Sequence, residues 1–303
     1  MYLLYTFLVG AMITVMVFFN GSLGNIYGIY TESALVHFVG ILFSVIVLMA
    51  QKKKIHLKKD DPWYNYLGGI LGVATILLQT SAFMHISLTS IIALDLLGGT
   101  LAALLIDTLG LFHMEKHPFK KNNMFGLVVC FIGMYFMFNK ADSHEIIGSL
   151  CALSAGASIT ISRCFNASLG ESVGAMQGSL INHIVGFVPC VVIAFVMKDT
   201  NPNLGMGLFA APWWMYLGGV CGVMLVYSNN LIVPHVSQMQ MALLSFLGQF
   251  FCSFVVDAIR HVQTPTHALV GALMITFGVC LNTILSSLEK KEIIVPMQVE
   301  VEL

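Results

Sequence analysis

Asp95 stands in the stretch "IIALDLLGG", about eight residues into an otherwise uncharged apolar run near 87–106. At 1.5 Å per helical residue, that sets its carboxyl group roughly 12 Å inside a membrane-spanning helix. An ionisable side chain at such depth costs about 2.5–3.5 kcal/mol on insertion scales, and such residues mark ion and substrate pathways. A carboxylic acid there can exchange a proton for a cationic solute. The other reading is a structural aspartate, neutral or paired with Arg163. His37 and His183 each lie several residues inside an apolar run. Imidazole titrates near neutrality, so the pair could relay protons or bind a ligand, and a shared scaffold role fits equally. Gln79, Asn229, Asn230 and Gln249 lie within three further runs. They are uncharged donors and acceptors suited to a polar cavity, or to hydrogen bonds between helices.

Asn20 and Asn166 sit in two nearly identical hexamers, "FNGSLG" at 19–24 and "FNASLG" at 165–170. An asparagine so placed can end a helix, with Gly24 and Gly170 closing the turn, and helix breaks of this kind often face a substrate cavity. Gly68 and Gly72, and likewise Gly218 and Gly222, form G-x-x-x-G spacings that let helix backbones approach closely. Trp63, Trp213 and Trp214 follow a proline at a helix start, as headgroup-level anchors do. Asp107 and Asp257 fall at the ends of apolar runs, where a solvated or helix-end role is expected.

The elements that carry these residues follow from composition. Of 303 residues, 57% are hydrophobic and 10% charged, with a mean hydropathy of +0.86. Soluble proteins carry about 25% charged residues, so the solvent of this chain is largely lipid. The net charge of −1 gives nucleic acid no purchase. Seven cysteines are scattered along apolar runs without C-x-x-C spacing, which argues against a disulfide framework or a zinc site. No metal and no cofactor is expected.

Ten apolar segments of about 16–23 residues can be counted, near 2–20, 33–50, 65–84, 87–106, 124–139, 146–165, 174–197, 212–232, 237–256 and 267–287. About 20 helical residues cross a hydrocarbon core. These runs are too continuous for barrel strands. The first run lacks the basic leader and cleavage site of a signal peptide, so it reads as a retained helix. Residues 289–303 read as an exposed cytoplasmic tail.

The hexamer is one of several paired blocks. "HFVG" at 37–40 recurs as "HIVG" at 183–186, again offset by 146. "PWYNYLGGILGV" at 62–73 recurs as "PWWMYLGGVCGV" at 212–223, eight of twelve positions being identical. At that offset of 150, His85 matches His235, Gly98 matches Gly248 and Asp107 matches Asp257. The chain therefore reads as two homologous halves, 1–140 and 141–288. Five spans per half make the second half enter the membrane from the opposite face. Eight lysines (52, 53, 54, 58, 59, 116, 120, 121) lie in the longer loops of the first half, against Lys198 and Arg260 in the second. Basic loops stay cytoplasmic, so both termini are expected inside. The fold class is an all-α polytopic membrane protein, with ten transmembrane helices in two inverted five-helix repeats.

These blocks resemble the drug/metabolite transporter superfamily, in particular its YdcZ-type branch. The resemblance rests on Asn20 and Asn166 with the small residues that follow, on Pro62–Gly72 and Pro212–Gly222, and on the G-Q-x7-D pattern of Gly248, Gln249 and Asp257. It implies a ten-helix inner-membrane transporter, an exporter, without ATP-binding machinery. Gly99 replaces the glutamine in the first half, and the first helix holds no carboxylate, unlike the related small multidrug resistance proteins. Proton coupling through such a group does not carry over.

The expected function is secondary transport of a small organic solute by alternating access, with proton coupling open. A channel-like facilitator and a non-transporting membrane scaffold remain as alternatives. An enzyme is not expected, because no H-E-x-x-H or G-x-S-x-G stretch occurs. The expected partners are the bilayer and the solute, with H+ left open as a third. The oligomeric state is open, a monomer included.

Overall fold

The structure is a computed structural model that describes residues 2–52, 62–111, 123–138, 141–197, 207, 210–232 and 238–300. Its described residues form ten α-helices and no strand: α1 Tyr2–Tyr27, α2 Ile29–Ala50, α3 Leu67–Phe83, α4 Leu88–Leu109, α5 Asn123–Phe138, α6 Ser143–Val173, α7 Ala175–Met197, α8 Leu217–Ile232, α9 Gln238–Ile259 and α10 Thr266–Glu300. Short 3-10 turns, Trp63–Tyr66 and Trp213–Tyr216, lead into α3 and α8. A helix satisfies its own backbone in lipid, which is why long apolar runs adopt this state. Six of the helices are long and apolar enough to cross a membrane, and four have shorter apolar stretches, Met124–Phe138, Trp213–Leu225, Leu244–Ile259 and Thr266–Leu281. Large apolar side chains cover the outside, among them Ile46, Phe125, Phe195, Phe251 and Phe277.

Several expectations change. Asn20 and Asn166 do not end helices: α1 runs on to Tyr27 and α6 to Val173. The breaks come at Gly28 (φ 89°) and Gly174 (φ 92°), a backbone conformation that favours glycine. Gly24 and Gly170 stay helical. The tail expected from 289 is helical to Glu300, as the end of α10. Asp257 is buried rather than solvated, and Trp214 stacks on Phe18 with ring centroids 5.6 Å apart. Trp63 and Trp213 are exposed. Of the eight lysines used for orientation, all but Lys52 lie outside the described residues, as does Lys198. The side chain of Asp107 lies outside them too.

The packing is reciprocal. Helix α1 packs on α8 and α9, while α6 packs on α3 and α4; α2 meets α7, and α5 meets α10. Exchanging the two sets of five helices maps each of these pairs onto another of them or onto itself. Close approaches obey the same exchange. A Cβ added to Gly10 would strike the backbone of Ser245, and one added to Gly156 would strike that of Asp95. Gly248 is pressed against Phe7 in the way that Gly98 is pressed against Leu153.

Candidate functional site

Asp95 lies on α4 at its crossing with α6. The start of α4 is tightly built. The Ser87 hydroxyl accepts from the Ser90 amide at 3.3 Å, and the Asp257 carboxylate accepts from the Leu88 amide at 3.1 Å and the Thr89 amide at 2.8 Å. These bonds satisfy donors that a helix N-terminus leaves unpaired. They also fix the height of Asp95, two turns further on.

The Gln79 side-chain amide of α3 donates to Asp95 Oδ2. Asp95 Oδ1 is buried and has no hydrogen-bond partner among the described residues. Arg163, on α6, is the cationic group that interacts with Asp95 electrostatically. The two do not form an ion pair within 4.0 Å. Gln79 and Asp95 are thus brought together as a pair, with Arg163 across from them.

The next residue on α3 serves a second carboxylate. The Thr80 hydroxyl donates to Glu32 Oε2 at 3.1 Å, and both residues are fully buried. Glu32 was missed by the sequence reading because the apolar run was counted from Ser33. The signal was available: the segment from 21 to 31 holds no charge, so the second apolar run could have been extended back past Glu32. Arg163 had figured only as a partner for Asp95.

His37 and His183 meet at the α2–α7 crossing, with ring centroids 5.6 Å apart. Each Nδ1 donates to the carbonyl four residues back, His37 to Ser33 at 2.9 Å and His183 to Ser179 at 2.8 Å. The carbonyl can only accept, so the proton sits on Nδ1 and Nε2 faces outwards from the parent helix. The His37 ring lies against Gly186 and the His183 ring against Gly40. Cys190 Sγ is 3.7 Å from His37 Nδ1.

Asn20 and Asn166 pack in the same reciprocal way. Asn20 Oδ1 points at Gly218 on α8, and Asn166 Oδ1 points at Gly68 on α3. Neither oxygen has a conventional donor among the described residues. In each case it lies in the direction of a glycine Cα–H, the geometry of a weak Cα–H···O contact. Gly72 and Gly222 face His37 Nε2 and His183 Nε2, with 4.0 and 3.6 Å to an added Cβ. Gln249 stays on its own helix, its Nε2 3.4 Å from Ser245 O and Oγ. The side chains of Asn229 and Asn230 lie outside the described residues. Among the described residues, no group of three or more metal-ligating side chains occurs.

A family model described as "Putative inner membrane exporter, YdcZ" matches residues 1–136 and 147–281, one stretch in each half. The chain belongs to that family. It is a multi-pass inner-membrane protein of the transporter class. A curated relative, "Uncharacterized transporter YoaV" of Bacillus subtilis (strain 168), is 22% identical over 265 residues, 84% of this chain and 86% of its own length. A crystal structure covering 92% of this chain and 98% of its own superposes with a TM-score of 0.59 at 12% identity, which shows a shared fold.

Proposed function

We propose that this YdcZ-family chain exports a small organic solute by alternating access between two inverted five-helix halves, with Asp95 as the site of a proton or cation. The reciprocal packing carries this reading. The first helix of each half lies against the third and fourth helices of the other, and His37 and His183 exchange glycine partners across the α2–α7 crossing. Such exchange is what a two-fold relation between the halves would produce, and it supports the reading. If each helix crosses the bilayer, five helices reverse the direction of the chain, so the two-fold axis lies in the membrane plane. Two related halves around a shared interface can rock to open one side and then the other. The lysines in the longer loops of the first half favour both termini inside.

Asp95 breaks the symmetry, since its counterpart 150 residues on is Ser245. The fold therefore does not require a carboxyl group there, and the residue serves this chain's own chemistry. The test is transient current from reconstituted protein on a solid-supported membrane, with amines, amino acids, organic acids and neutral metabolites applied with and without a pH gradient. Asp95→Asn, which keeps the shape and the Gln79 contact, is expected to reduce the proton-dependent current to background. A variant with wild-type rate and pH dependence would end the coupling role. Saturable tracer counterflow separates a carrier from a channel.

A further inference from the structure

Arg163 is exposed, which is unusual for its place on α6. The lipid-facing side of that helix carries exposed Ile147 and Leu150. Arg163 is on the opposite side: it follows Ala152 and Gly156, both buried, at spacings of eleven and seven residues, which return to one helical face. Gly156 on that face touches the backbone of Asp95. Surface that is accessible on an inward face belongs to a space between helices, not to the exterior. Its backbone is about 16 Å along the helix from the α6–α7 break at Gly174, eleven residues on, well within a hydrocarbon core about 30 Å thick.

Among the described residues, Arg163 makes no hydrogen bond and no ion pair within 4.0 Å. A cation held in a membrane interior with no hydrogen bond and no close ion pair is costly, and such residues normally pair. Its counterpart 146 residues earlier is Val17, which is 1% exposed and packed into the main apolar core. The fold accommodates an apolar side chain at this position in one half and leaves a guanidinium facing open space in the other. The charge is one-sided, on the α3–α4–α6 side, as is the carboxyl group of Asp95.

Building on the transporter reading above, we propose that Arg163 docks the carboxylate of the transported solute, which is a small organic acid or an amino carboxylate. The planar guanidinium matches a carboxylate with two parallel hydrogen bonds. A solute with both an acid and an ammonium group would also complement Asp95 and leave the local charge balanced. A simple amine would meet Arg163 as a like charge.

The test is ligand-induced stabilisation of the purified full-length protein, read as its melting temperature in detergent. Matched probes share one carbon frame: L-valine, 3-methylbutanoate and isobutylamine, followed by the other standard amino acids with their corresponding acids and amines. Stabilisation is expected from carboxylate-bearing probes and not from amines, and this comparison needs no variant. Arg163→Gln is expected to weaken carboxylate binding about 30-fold or more, with its unliganded melting temperature reporting whether it folds. Arg163→Lys, which keeps the charge without the fork, is expected to recover part of the binding.

Stabilisation by acids and amino acids alike, or by amino acids alone, supports the assignment and separates the two solute classes. Stabilisation by amines alone, no carboxylate-dependent shift at all, or carboxylate binding unchanged in a folded Arg163→Gln overturns it. The two readings fail differently. Binding without tracer counterflow removes the transporter reading and leaves the Arg163 assignment standing. Counterflow of amines unaffected by Arg163→Gln does the reverse.

Discussion

Asp257→Ala is expected to lower the stability of the folded protein by about 3–5 kcal/mol, the usual cost of removing one member of a buried, hydrogen-bonded charge pair. The Asp257 carboxylate accepts from the Leu88 amide, the Thr89 amide and the Thr89 hydroxyl at 3.1, 2.8 and 2.8 Å. Arg260 lies 3.7 Å away, with its guanidinium 4.1 Å over the Phe83 ring. Truncation therefore strands three buried donors and leaves a half-buried cation without its carboxylate, and a buried unsatisfied group alone costs about 1–3 kcal/mol. Asp257→Asn keeps an acceptor oxygen and should lose much less. Thermal unfolding of both variants in the same detergent as wild type measures the difference. A melting temperature for the alanine variant within about 1–2 °C of wild type would contradict the account, since a change of 1 kcal/mol moves a domain of 150–250 residues by about 2–4 °C. Because these bonds hold the start of α4, loosening them also moves Asp95, so transport should fall even where the variant still folds.

That role of Asp257 shows where the sequence was and was not informative. The paired blocks were visible because they share glycines that sit at close helix approaches: Gly68 with Gly218, Gly40 with Gly186, Gly98 with Gly248. Hydropathy identified the helices for the same reason that lipid enforces them. Which side chains those glycines receive was not visible, because the partner comes from the other half of the chain. Asn20 looked like a cap since Asn followed by small residues and Gly is a sound local signal for a helix end. In lipid, however, the backbone stays paired until a residue can turn it, and that residue is Gly28. The asparagine oxygen was freed for Gly218, nearly two hundred positions away. Glu32 escaped notice through the position of a boundary, and its burial depends on Thr80 from another helix. Of the candidate site, Asp95 and Gln79 could be named from sequence, but their contact and the exposure of Arg163 depend on how α3, α4 and α6 cross.

Gly156→Ala should prove as damaging as the loss of a large core side chain, though it adds only a methyl group. In α6 that methyl would lie on the backbone carbonyl of Asp95, and backbone cannot rotate away as a side chain can. The helices must separate along the crossing, which overpacking data put at about 1–3 kcal/mol and occasionally more. The glycine Cα–H contact with the Asp95 carbonyl, worth about 0.5–1 kcal/mol, is lost with it. Gly10→Ala probes the exchanged contact, where the added methyl meets the Ser245 carbonyl, and should destabilise to a similar degree. Gly170→Ala on the same helix as Gly156 is the control. Nothing lies within 4 Å of its added Cβ, so it should be neutral or slightly stabilising, as expected where alanine replaces a helical glycine. Unfolding of the three variants side by side decides the matter. Equal losses for Gly10 and Gly156 with none for Gly170 would match the reciprocal packing. A loss at Gly156 alone would mean that the α1–α9 crossing is looser than its counterpart, and that the two halves do not share one packing plan. Transport adds a functional reading: the α4–α6 crossing carries Asp95 and the α1–α9 crossing carries Ser245. On the proposed role of Asp95, a folded Gly156→Ala protein should therefore lose proton dependence before a folded Gly10→Ala protein does.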